Sequence, residues 1–290
     1  ATAYGRQVYE IASSTQADIS KLLEAQAAGA QEKFQGFVEA AMKNAPAGSE
    51  NAVAMMKQAM SATSAAVESA QKAAKQAVKD ADIIVVAIAA QFARVALAEF
   101  KDLIPDTAVV VSLMKGIERN TKKRMDEVVR EALDLPAERF AAVSGPNLSK
   151  EIADRQPAAT VVACENLDNA RKVASACTTS YFKAFITSDV IGLEMCGSLK
   201  NVVALAVGMA RGAGYGENTA AMIETRGLAE LTALGKAAGA DPKTFAGLAG
   251  VGDLTATCGS PLSRNYTFGA NLGKGLSVEE ATKVSNGVAE

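Results

Sequence analysis

Residues 75–91 read KQAVKDADIIVVAIAAQ, and this stretch decides the fold because two kinds of pattern meet in it. Its first part is rich in alanine and lysine, which is typical of a helix, whereas Ile83–Val86 is an unbroken run of β-branched residues. A short apolar run of this kind predicts a buried inner strand of a parallel sheet. In nucleotide-binding sheets a glycine-rich loop usually precedes such a strand, but no such loop precedes this one.

Downstream of this stretch, strand and helix patterns alternate, which predicts parallel α/β layering. The predicted strands are Ile83–Ile88, Ala108–Leu113, Phe140–Val143 and Thr160–Ala163, and the predicted helices between them are Phe92–Phe100, Arg119–Leu133 and Leu167–Cys177. After about Asp189 the pattern is helical throughout, with helices predicted over Gly197–Arg211, Thr219–Ala238, Asp241–Ala249 and Arg264–Leu272. We therefore predict a partial Rossmann-like parallel sheet over 79–188 and an all-helical domain over 189–290, an α/β plus all-α fold.

Residues 1–78 contain no strand pattern, and their apolar residues recur at helical spacing. A proline-containing break over 44–49 divides them into an amphipathic helical hairpin. The apolar stripe is too narrow to fill a core, so it requires a partner surface, through coiled-coil pairing or adsorption to an apolar surface. This predicts self-association. The simpler alternative is a hairpin packed on its neighbour.

Composition limits the possible functions. The 290 residues have a net charge of −2 and are 49% hydrophobic, which argues against a protein that binds nucleic acid or a membrane surface by bulk charge. We expect no membrane span, because no apolar stretch approaches the required length. The cysteines lie far apart, at Cys164, Cys177, Cys196 and Cys258, which predicts a reduced, cytoplasmic protein. The chain has no histidine, so it has no Ser-His-Asp triad and no histidine-ligated zinc, and we expect no metal site.

Polar clusters that could carry chemistry occur at four places in the second half of the chain. Two follow predicted parallel strands, at whose carboxyl ends open α/β sheets bind ligands. The clusters are SLMKGIE (112–118), SGPNLSKE (144–151), GSLKNVVAL (197–205) and GVGDLTATC (250–258) followed by SRN (263–265).

Lys200 is the most informative of these residues, because it lies among apolar residues on a predicted helix. If it is buried, loss of solvation lowers the pKa of its ammonium group and makes it a usable acid or base near neutral pH. The alternative is that its stem extends along the helix and its ammonium group reaches water, as in most helical lysines. The pattern alone favours the second interpretation.

Taken together and in this order, these motifs resemble the bacterial type of NAD(P)-dependent glycerol-3-phosphate dehydrogenase. The resemblance runs from about Lys79 to Glu290 and departs from the family at Ala89, Asn147 and Ser149. It is carried by KDADIIVVA, SLMKGIE, SGPNLSKE, CGSLKNVVALAVG, TRGLAEL, GVGDLTATC, SRNYTFG and NGVAE.

The resemblance implies reduction of dihydroxyacetone phosphate, a small phosphorylated substrate, with NAD or NADP as cofactor. It implies that Lys200 is the proton donor, that Lys115 polarises the substrate and that Asp253 orients Lys200. The substrate-binding residues that it implies are Lys115, Gly145, Asn147, Lys200, Asn201, Asp253, Thr257, Ser263, Arg264 and Asn265. The implied cofactor-binding residues are Lys115, Ser149, Arg264, Val288 and Glu290.

The GxGxxG loop of that family is absent from the chain. The nearest candidates are Gly212–Gly216 and Gly250–Gly252, neither of which follows a predicted strand or has the required spacing. We therefore expect weakened cofactor binding, and the choice between NAD and NADP stays open. The chain is also expected to stop short of the family's last helices.

Residues 1–78 resemble a phasin, a protein that coats polyhydroxyalkanoate granules. The likeness is carried by YGRQVYEIASSTQADISKLLEAQ, KNAPAGSENAVAMMKQAMSA and ESAQKAAKQAV. It implies a helical, oligomerising segment that adsorbs to granules, and a junction near Val78 that is engineered, recombined or an artefact of assembly. Two alternatives to the enzyme are a granule-associated structural protein and a chain without a selected function.

Overall fold

The computed structural model describes Gln76 and residues 78–284. The chain divides into two units between Ala74 and Lys75. All the described residues belong to the second unit, 75–290. The helical hairpin predicted for residues 1–78 therefore lies, apart from Gln76 and Val78, outside the described residues.

A five-stranded sheet forms the first half of the described region, with its strands ordered as they occur along the chain. Three neighbouring pairs are parallel, and the pair of β3 and β4 is antiparallel. The strands are β1 (Ile83–Val86), β2 (Val109–Ser112), β3 (Phe140–Ser144), β4 (Ala158–Ala163) and β5 (Phe182–Thr187).

Helices cover the sheet and then form a helical layer of their own. Those between the strands are α1 (Ala93–Ala98), α2 (Met125–Leu133), α3 (Ser149–Ala153) and α4 (Leu167–Cys177). Those after the sheet are α5 (Val190–Gly212), α6 (Glu217–Ala237), α7 (Pro242–Phe245), a π-helical turn (Leu248–Gly252), α8 (Asp253–Gly259), α9 (Arg264–Gly273) and α10 (Val278–Val284).

Strand β2 is buried on both faces, which is why its sequence VVVS carries no alternation of apolar and polar residues. Side chains alternate between the faces of a strand. Val110 accordingly joins the core formed with α2 and α5, whereas Val109 and Val111 join the core under α4. Each of these valines is almost fully buried, and each contributes about 1.5–3 kcal/mol of hydrophobic stabilisation.

The prediction of a buried inner strand over Ile83–Ile88 is wrong in extent and in burial. Strand β1 ends at Val86, and Val85 is 56% exposed. Among the residues that the structure describes, β1 pairs with β2 alone and so forms an edge of the sheet. An edge strand leaves part of its apolar surface uncovered, so the apolar run by itself could not indicate burial.

The predicted helix Arg119–Leu133 begins only at Met125. The residues before it form a closed loop, with a β-bridge between Ile117 and Arg124 and a positive φ of 61° at Lys122. The backbone N–H of Arg124 donates to Glu127, whose carboxylate caps the start of the helix. The capping residue is an arginine, which is not one of the residues that usually mark the start of a helix.

The prediction of a parallel sheet holds for three of the four strand pairs described, and one strand is additional to the prediction. The exception is the pair of β3 and β4, which is antiparallel, and the connection between these strands contains only the five-residue helix α3. The additional strand is β5, whose sequence FKAFIT carries the aromatic and β-branched residues typical of a strand.

Helix α5 is the centre of the helical layer. The expectation that no apolar stretch approaches bilayer length is wrong for this helix, which has 23 residues and is long and apolar enough to span a membrane. However, 61% of the most apolar 18-residue stretch of this helix is buried within the protein, as expected for a core helix. One helix that meets this test is weak evidence for a membrane span.

Helix α9 packs closely along α5 because glycines on both helices leave room for the backbones. A Cβ atom at Gly208 would collide with the carbonyl oxygen of Tyr266, and one at Gly269 would collide with that of Leu205. This close packing brings the first residue of α9, Arg264, to the side of α5 that carries Lys200.

Candidate active site

Lys200 lies inside the protein, with 7% of its surface exposed. Its ammonium group donates to the Oγ1 of Thr257, at 2.7 Å, and to the Oδ1 of Asp253. Thr257 lies one turn after Asp253 on α8, and its hydroxyl donates to the backbone carbonyl of Asp253 at 2.6 Å. The alternative of a solvated ammonium group is therefore wrong, because the amine is buried and bonded to a carboxylate.

Asp253 is shared between two lysines. Its Oδ2 accepts from the Nζ of Lys115 at 2.8 Å and from the Oγ of Ser144 at 3.5 Å, while its Oδ1 accepts from Lys200. The Asp253 side chain is only 3% exposed. A buried carboxylate requires compensation for its lost solvation, and these donors supply it. The three partners of Asp253 come from the ends of β2 and β3 and from the middle of α5.

The electrostatics of this cluster place Lys200 near its titration point at neutral pH. Burial, followed by the nearby ammonium group of Lys115, lowers the pKa of Lys200 to about 8, and the Asp253 carboxylate opposes both effects. An amine with this pKa holds its proton at neutral pH and releases it readily, which suits general acid–base chemistry.

A cavity of about 480 Å³ opens beside the two lysines. This size suits a small ligand. The predicted site residues that line the cavity are Lys115, Lys200, Asn201, Thr257, Ser263, Arg264 and Asn265. The rest of the wall is apolar and comes largely from the carboxyl ends of β1 and β2, with Ala87, Ile88, Ala89, Ala90, Leu113, Met114, Leu148 and Leu262. Asp253 lies behind the wall, bonded to both lysines.

One side of the cavity can hold an anion. Ser263 caps α9, and its hydroxyl accepts from the backbone N–H of Tyr266 at 3.3 Å. The first backbone N–H groups of a helix carry partial positive charge, and Arg264 at this end adds a guanidinium group. A phosphate group is the ligand that such an arrangement binds best.

Other predicted residues are not brought to this cavity. Gly145 has a φ of +155° and lies against Thr160, whose hydroxyl accepts from the Nδ2 of Asn147 at 2.7 Å. The Oδ1 of Asn147 is buried and has no hydrogen-bond partner. Ser149 is the first residue of α3. None of these three lines the cavity. Val288 and Glu290, predicted to bind cofactor, lie outside the described residues.

Sequence reasoning gave no site role to three residues that shape this centre, although all three lie within the quoted motifs. Ser144 donates to Asp253, and the hydroxyl of Ser198 accepts from the backbone N–H of Gly116 at 2.9 Å. At Gly197 a Cβ atom would lie 3.0 Å from the Ser144 Oγ and 3.5 Å from the Lys115 stem. Serine and glycine occur in too many contexts for a single sequence to reveal such roles.

Within the described part of the chain, no group of three or more cysteine, aspartate or glutamate residues could hold a metal ion. The four cysteines are free thiols, and three of them are buried.

Two family models match the chain, and together they cover most of it. Residues 49–170 match the model of the NAD-dependent glycerol-3-phosphate dehydrogenase N-terminus, and residues 189–290 match that of the C-terminus. The first match begins ahead of Lys79, so residues 49–78 fall both within it and within the stretch that resembles a phasin.

Individual proteins agree with these matches. The chain is 89% identical over 215 residues to the glycerol-3-phosphate dehydrogenase [NAD(P)+] of Bifidobacterium longum subsp. infantis and 56% identical over 215 residues to that of Corynebacterium kroppenstedtii. Each alignment covers 74% of this chain and 65% of the relative, so the chain spans just under two thirds of these relatives' length.

A solved structure supports the same relationship. The chain is similar, with a TM-score of 0.68 and 32% identity, to the crystal structure of glycerol-3-phosphate dehydrogenase from Coxiella burnetii, over 72% of this chain and 63% of that one. The fold is thus a mixed sheet followed by a helical domain, as in that enzyme. The chain belongs to the NAD-dependent glycerol-3-phosphate dehydrogenase family.

Proposed function

We propose that this chain is a glycerol-3-phosphate dehydrogenase that interconverts dihydroxyacetone phosphate and sn-glycerol 3-phosphate with NAD or NADP. The observation that carries the proposal is the buried Lys200 ammonium group, bonded to Asp253 and sharing one cavity with Arg264. A small phosphorylated ketone needs an anion site at one end and a proton donor at the other. The two relatives described above are glycerol-3-phosphate dehydrogenases by name, which agrees with this substrate class.

Binding of the substrate begins at its phosphate. Ser263, Arg264 and Asn265 stand at the start of α9 and line the cavity, and we assign them to the phosphate group. A guanidinium group and backbone N–H groups are strong donors to phosphate oxygens. With the phosphate there, the carbonyl group lies toward Lys200, and Asn201 and Thr257 supply polar contacts beside it.

Lys200 then acts on the carbonyl oxygen. A bound nicotinamide cofactor would supply the hydride that reduces the carbonyl carbon. As negative charge develops on the oxygen, the Lys200 ammonium group stabilises it and donates its proton to give the alcohol. In the reverse direction neutral Lys200 takes the hydroxyl proton. Lys115 adds a second positive charge, and Asp253 holds both amines in place through its two oxygens.

The cavity wall fits the apolar part of the cofactor. The carboxyl ends of β1 and β2 contribute Ile88, Ala89, Leu113 and Met114 to the same cavity, and ligands of open α/β sheets bind at such strand ends. We assign this wall to the nicotinamide ring. The assignments of Gly145 and Asn147 to substrate, and of Ser149, Val288 and Glu290 to cofactor, rest on sequence motifs alone and stay predictions.

Calorimetric titration with glycerol 3-phosphate tests the substrate assignment without requiring bound cofactor. The full chain is expected to bind this ligand, and Arg264→Ala is expected to weaken binding by at least tenfold because a direct phosphate contact is lost. The matched control is Arg171→Ala, which removes an exposed arginine of α4. If glycerol 3-phosphate binds no better than glycerol, or both variants behave alike, the proposed substrate is wrong.

We also propose that this chain binds the cofactor weakly, because its sequence has no GxGxxG loop to hold the pyrophosphate. A fluorescence titration with NADH and with NADPH measures this directly and compares the two cofactors. We expect no saturation at micromolar concentrations of either. Tight binding of one of them would contradict the proposal and would identify the preferred cofactor.

The alternative of a granule-associated structural protein depends on residues 1–78 alone. The phasin-like sequences quoted above favour it, and they imply attachment to polyhydroxyalkanoate granules and self-association as a homo-oligomer. Mixing the full chain with polyhydroxybutyrate particles and sedimenting them tests the idea, with a variant lacking residues 1–74 as control. A full-length chain that stays in the supernatant would exclude the granule role. With either function, we expect a cytoplasmic location, consistent with four free thiols.

A further inference from the structure

Lys115 lies in a segment that has no regular secondary structure. This segment, residues 113–124, joins β2 to α2 and is called the lysine loop below. Inside it, the N–H of Glu118 donates to the carbonyl of Lys123 and the N–H of Lys122 donates to the carbonyl of Glu118, each at 2.9 Å. These bonds close the loop but do not attach it to the protein. The position of the Lys115 amine therefore depends on contacts from outside the loop.

One set of outside contacts comes from the chain around α1. The side-chain amide of Gln91 donates to the carbonyl of Ile117 at 2.9 Å and accepts from the N–H of Arg119 at 3.0 Å. One carboxamide group thus holds the backbone on both sides of Glu118. One bond uses the donor of the amide and the other uses its acceptor. Together they fix the orientation of the loop backbone and its distance from Gln91.

The residue between these two bonds is held as well. Arg94 donates to both carboxylate oxygens of Glu118, from Nε and Nη2, at 2.9 Å each. Glu118 is 8% exposed and also accepts from the hydroxyl of Thr121. Gln91 and Arg94 are three residues apart in consecutive turns of helical backbone and so reach the loop from one side. Three successive loop residues are bound by this pair.

Besides the N–H of Leu113, which donates to the carbonyl of Val86 at 2.9 Å, another contact from outside the loop comes from α5, next to Lys200. The hydroxyl of Ser198 accepts from the N–H of Gly116 at 2.9 Å, one residue after Lys115. The loop is therefore held between the chain around α1 and the helix that carries Lys200. This arrangement leaves the Lys115 side chain directed at Asp253, at 2.8 Å.

We propose that Gln91 and the Arg94–Glu118 ion pair are positioning residues that keep the Lys115 amine on Asp253. None of the three lines the cavity, so they act through the loop and not on the substrate. Their effect on turnover rests on the proposed function, whereas their effect on Lys115 does not. The two effects are therefore measured separately.

The first measurement is the rate of reductive methylation of Lys115 in the full chain, followed by peptide mass spectrometry with the exposed Lys236 as internal reference. The Lys115 side chain is 29% exposed, so the reagent can reach it. Arg94→Met removes both bonds to Glu118 and keeps the length of the side chain. We expect it to raise the labelling of Lys115 several-fold, because the amine then leaves Asp253 for part of the time.

A second variant covers the case in which Arg94→Met does not fold. Gln91→Met is close in volume and removes both bonds to the loop backbone, and it is expected to raise the labelling of Lys115 in the same way. The matched control, Arg171→Met, breaks an exposed ion pair on α4 and is expected to leave it unchanged. Unchanged labelling in either folded loop variant, or an equal rise in the control, would overturn the proposal.

The second measurement is steady-state kinetics with dihydroxyacetone phosphate at saturating cofactor. We expect Arg94→Met to lower kcat about tenfold and Arg94→Lys, which can keep one bond to Glu118, to restore part of the loss. Increased labelling in a chain without dehydrogenase activity would support the positioning role and count against the proposed function. Unchanged labelling of Lys115 in an active variant with unchanged kcat would count against the positioning role and support the proposed function.

Discussion

At the scale of single residues, the chemistry depends on one carboxylate that serves two amines. Asp253 compensates two positive charges that burial would otherwise make costly, and it does so with a separate oxygen for each lysine. Burial keeps the pKa of Lys200 low, and the carboxylate keeps it from falling further. The site thus holds a proton that is stable at neutral pH and is easily transferred.

Replacing Lys200 tests its role as proton donor. We expect Lys200→Met to lower kcat for dihydroxyacetone phosphate reduction by about 10²–10⁴-fold, the usual contribution of a general acid. Glycerol 3-phosphate should still bind, because the phosphate site proposed at the start of α9 is unchanged. Steady-state kinetics and calorimetry measure the two effects. A variant that keeps most of its kcat would exclude Lys200 as the proton donor.

The lowered pKa of Lys200 also predicts how stability depends on pH. Between about 8, its value in the folded protein, and 10.5, its ordinary value, the unfolded chain binds a proton that the folded chain lacks. Stability therefore rises with pH across this window. Relative to Lys200→Met, the wild-type chain is expected to gain roughly 3 kcal/mol from one end of the window to the other. Urea unfolding of both proteins at the two ends of the window measures the difference.

If that difference does not change with pH, the amine has an ordinary pKa and is solvated. Lys236→Met provides the control. It removes an exposed lysine of α6, so its effect on stability should not vary across the same window.

At the scale of elements, the site depends on a helix that starts irregularly. The π-helical turn over Leu248–Gly252 leads directly into α8, whose first residue is Asp253. Such turns are rare, and they recur at functional sites because they redirect the side chains that follow. Here the turn aims Asp253 at α5. The π-helical turn packs tightly against α7 and requires glycine at 250, because a Cβ atom there would collide with the carbonyl oxygen of Phe245.

Substituting this glycine should therefore disturb both stability and the site. We expect Gly250→Ala to lower the free energy of unfolding by about 1–3 kcal/mol, the usual cost of overpacking. Glycerol 3-phosphate binding should weaken because Asp253 moves. The control is Gly259→Ala at the other end of α8, where a Cβ atom meets open space. Equal urea midpoints for the two variants would show that the turn tolerates a side chain.

A second element-scale feature joins α2 to α5. The N–H of Asp126 donates to the Oε2 of Glu194 at 3.1 Å, and both residues are almost fully buried beside Arg124. Among the described residues, the Oε1 of Glu194 has no hydrogen-bond partner. Burial, together with the negative charge of Asp126, raises the pKa of Glu194 well above its ordinary value. The folded protein thus retains a proton that the unfolded chain loses.

This arrangement predicts that stability falls as pH rises from the ordinary value of 4.5 toward the raised pKa of Glu194. Glu194→Gln keeps an acceptor for the Asp126 N–H and cannot ionise. We expect it to stabilise the protein at neutral pH by about 1–2 kcal/mol and to flatten this pH dependence. Thermal melts at several pH values measure both effects. Glu165→Gln, which removes an exposed carboxylate, should change neither, and a destabilising Glu194→Gln would contradict the prediction.

At the scale of the whole molecule, the described unit carries an open edge. Within the described ranges β1 pairs on one side only, and apolar side chains near it are exposed, including Val85, Ile88, Phe92 and Val95. Unpaired edges with apolar side chains favour association between chains. This surface belongs to the same unit as the cavity, so association through this edge would involve the unit that carries the proposed site.

Placing a charge on this edge should reduce association. We expect Val85→Lys to lower the average mass of the protein at high concentration, measured by sedimentation velocity, because a lysine on an edge strand opposes strand pairing. The matched control is Val278→Lys, which changes a valine that is 66% exposed on α10. If neither variant differs from the wild-type chain, the edge does not drive association.

The sequence by itself determined the class of the fold and predicted most of the polar side chains that line the cavity. The helix Leu167–Cys177 has the predicted bounds. The motifs around Lys115, Lys200 and Arg264 are recognisable from the sequence without knowledge of the fold. These features are local, because periodicity and short motifs are properties of neighbouring residues. The burial of β1, the antiparallel β4 and the start of α2 could not be obtained in this way, since each depends on pairing between distant segments.

Only the tertiary structure decided that the Lys200 amine is buried. Its neighbours on α5 allowed a buried amine or a solvated one, and the choice depended on Asp253, which lies 53 residues further along the chain. The same is true of Gln91 and Arg94, whose partners in the lysine loop are 24 to 28 residues away. The sequence shows which groups are available, whereas the free energy of a buried charge depends on the groups that folding brings within bonding distance of it.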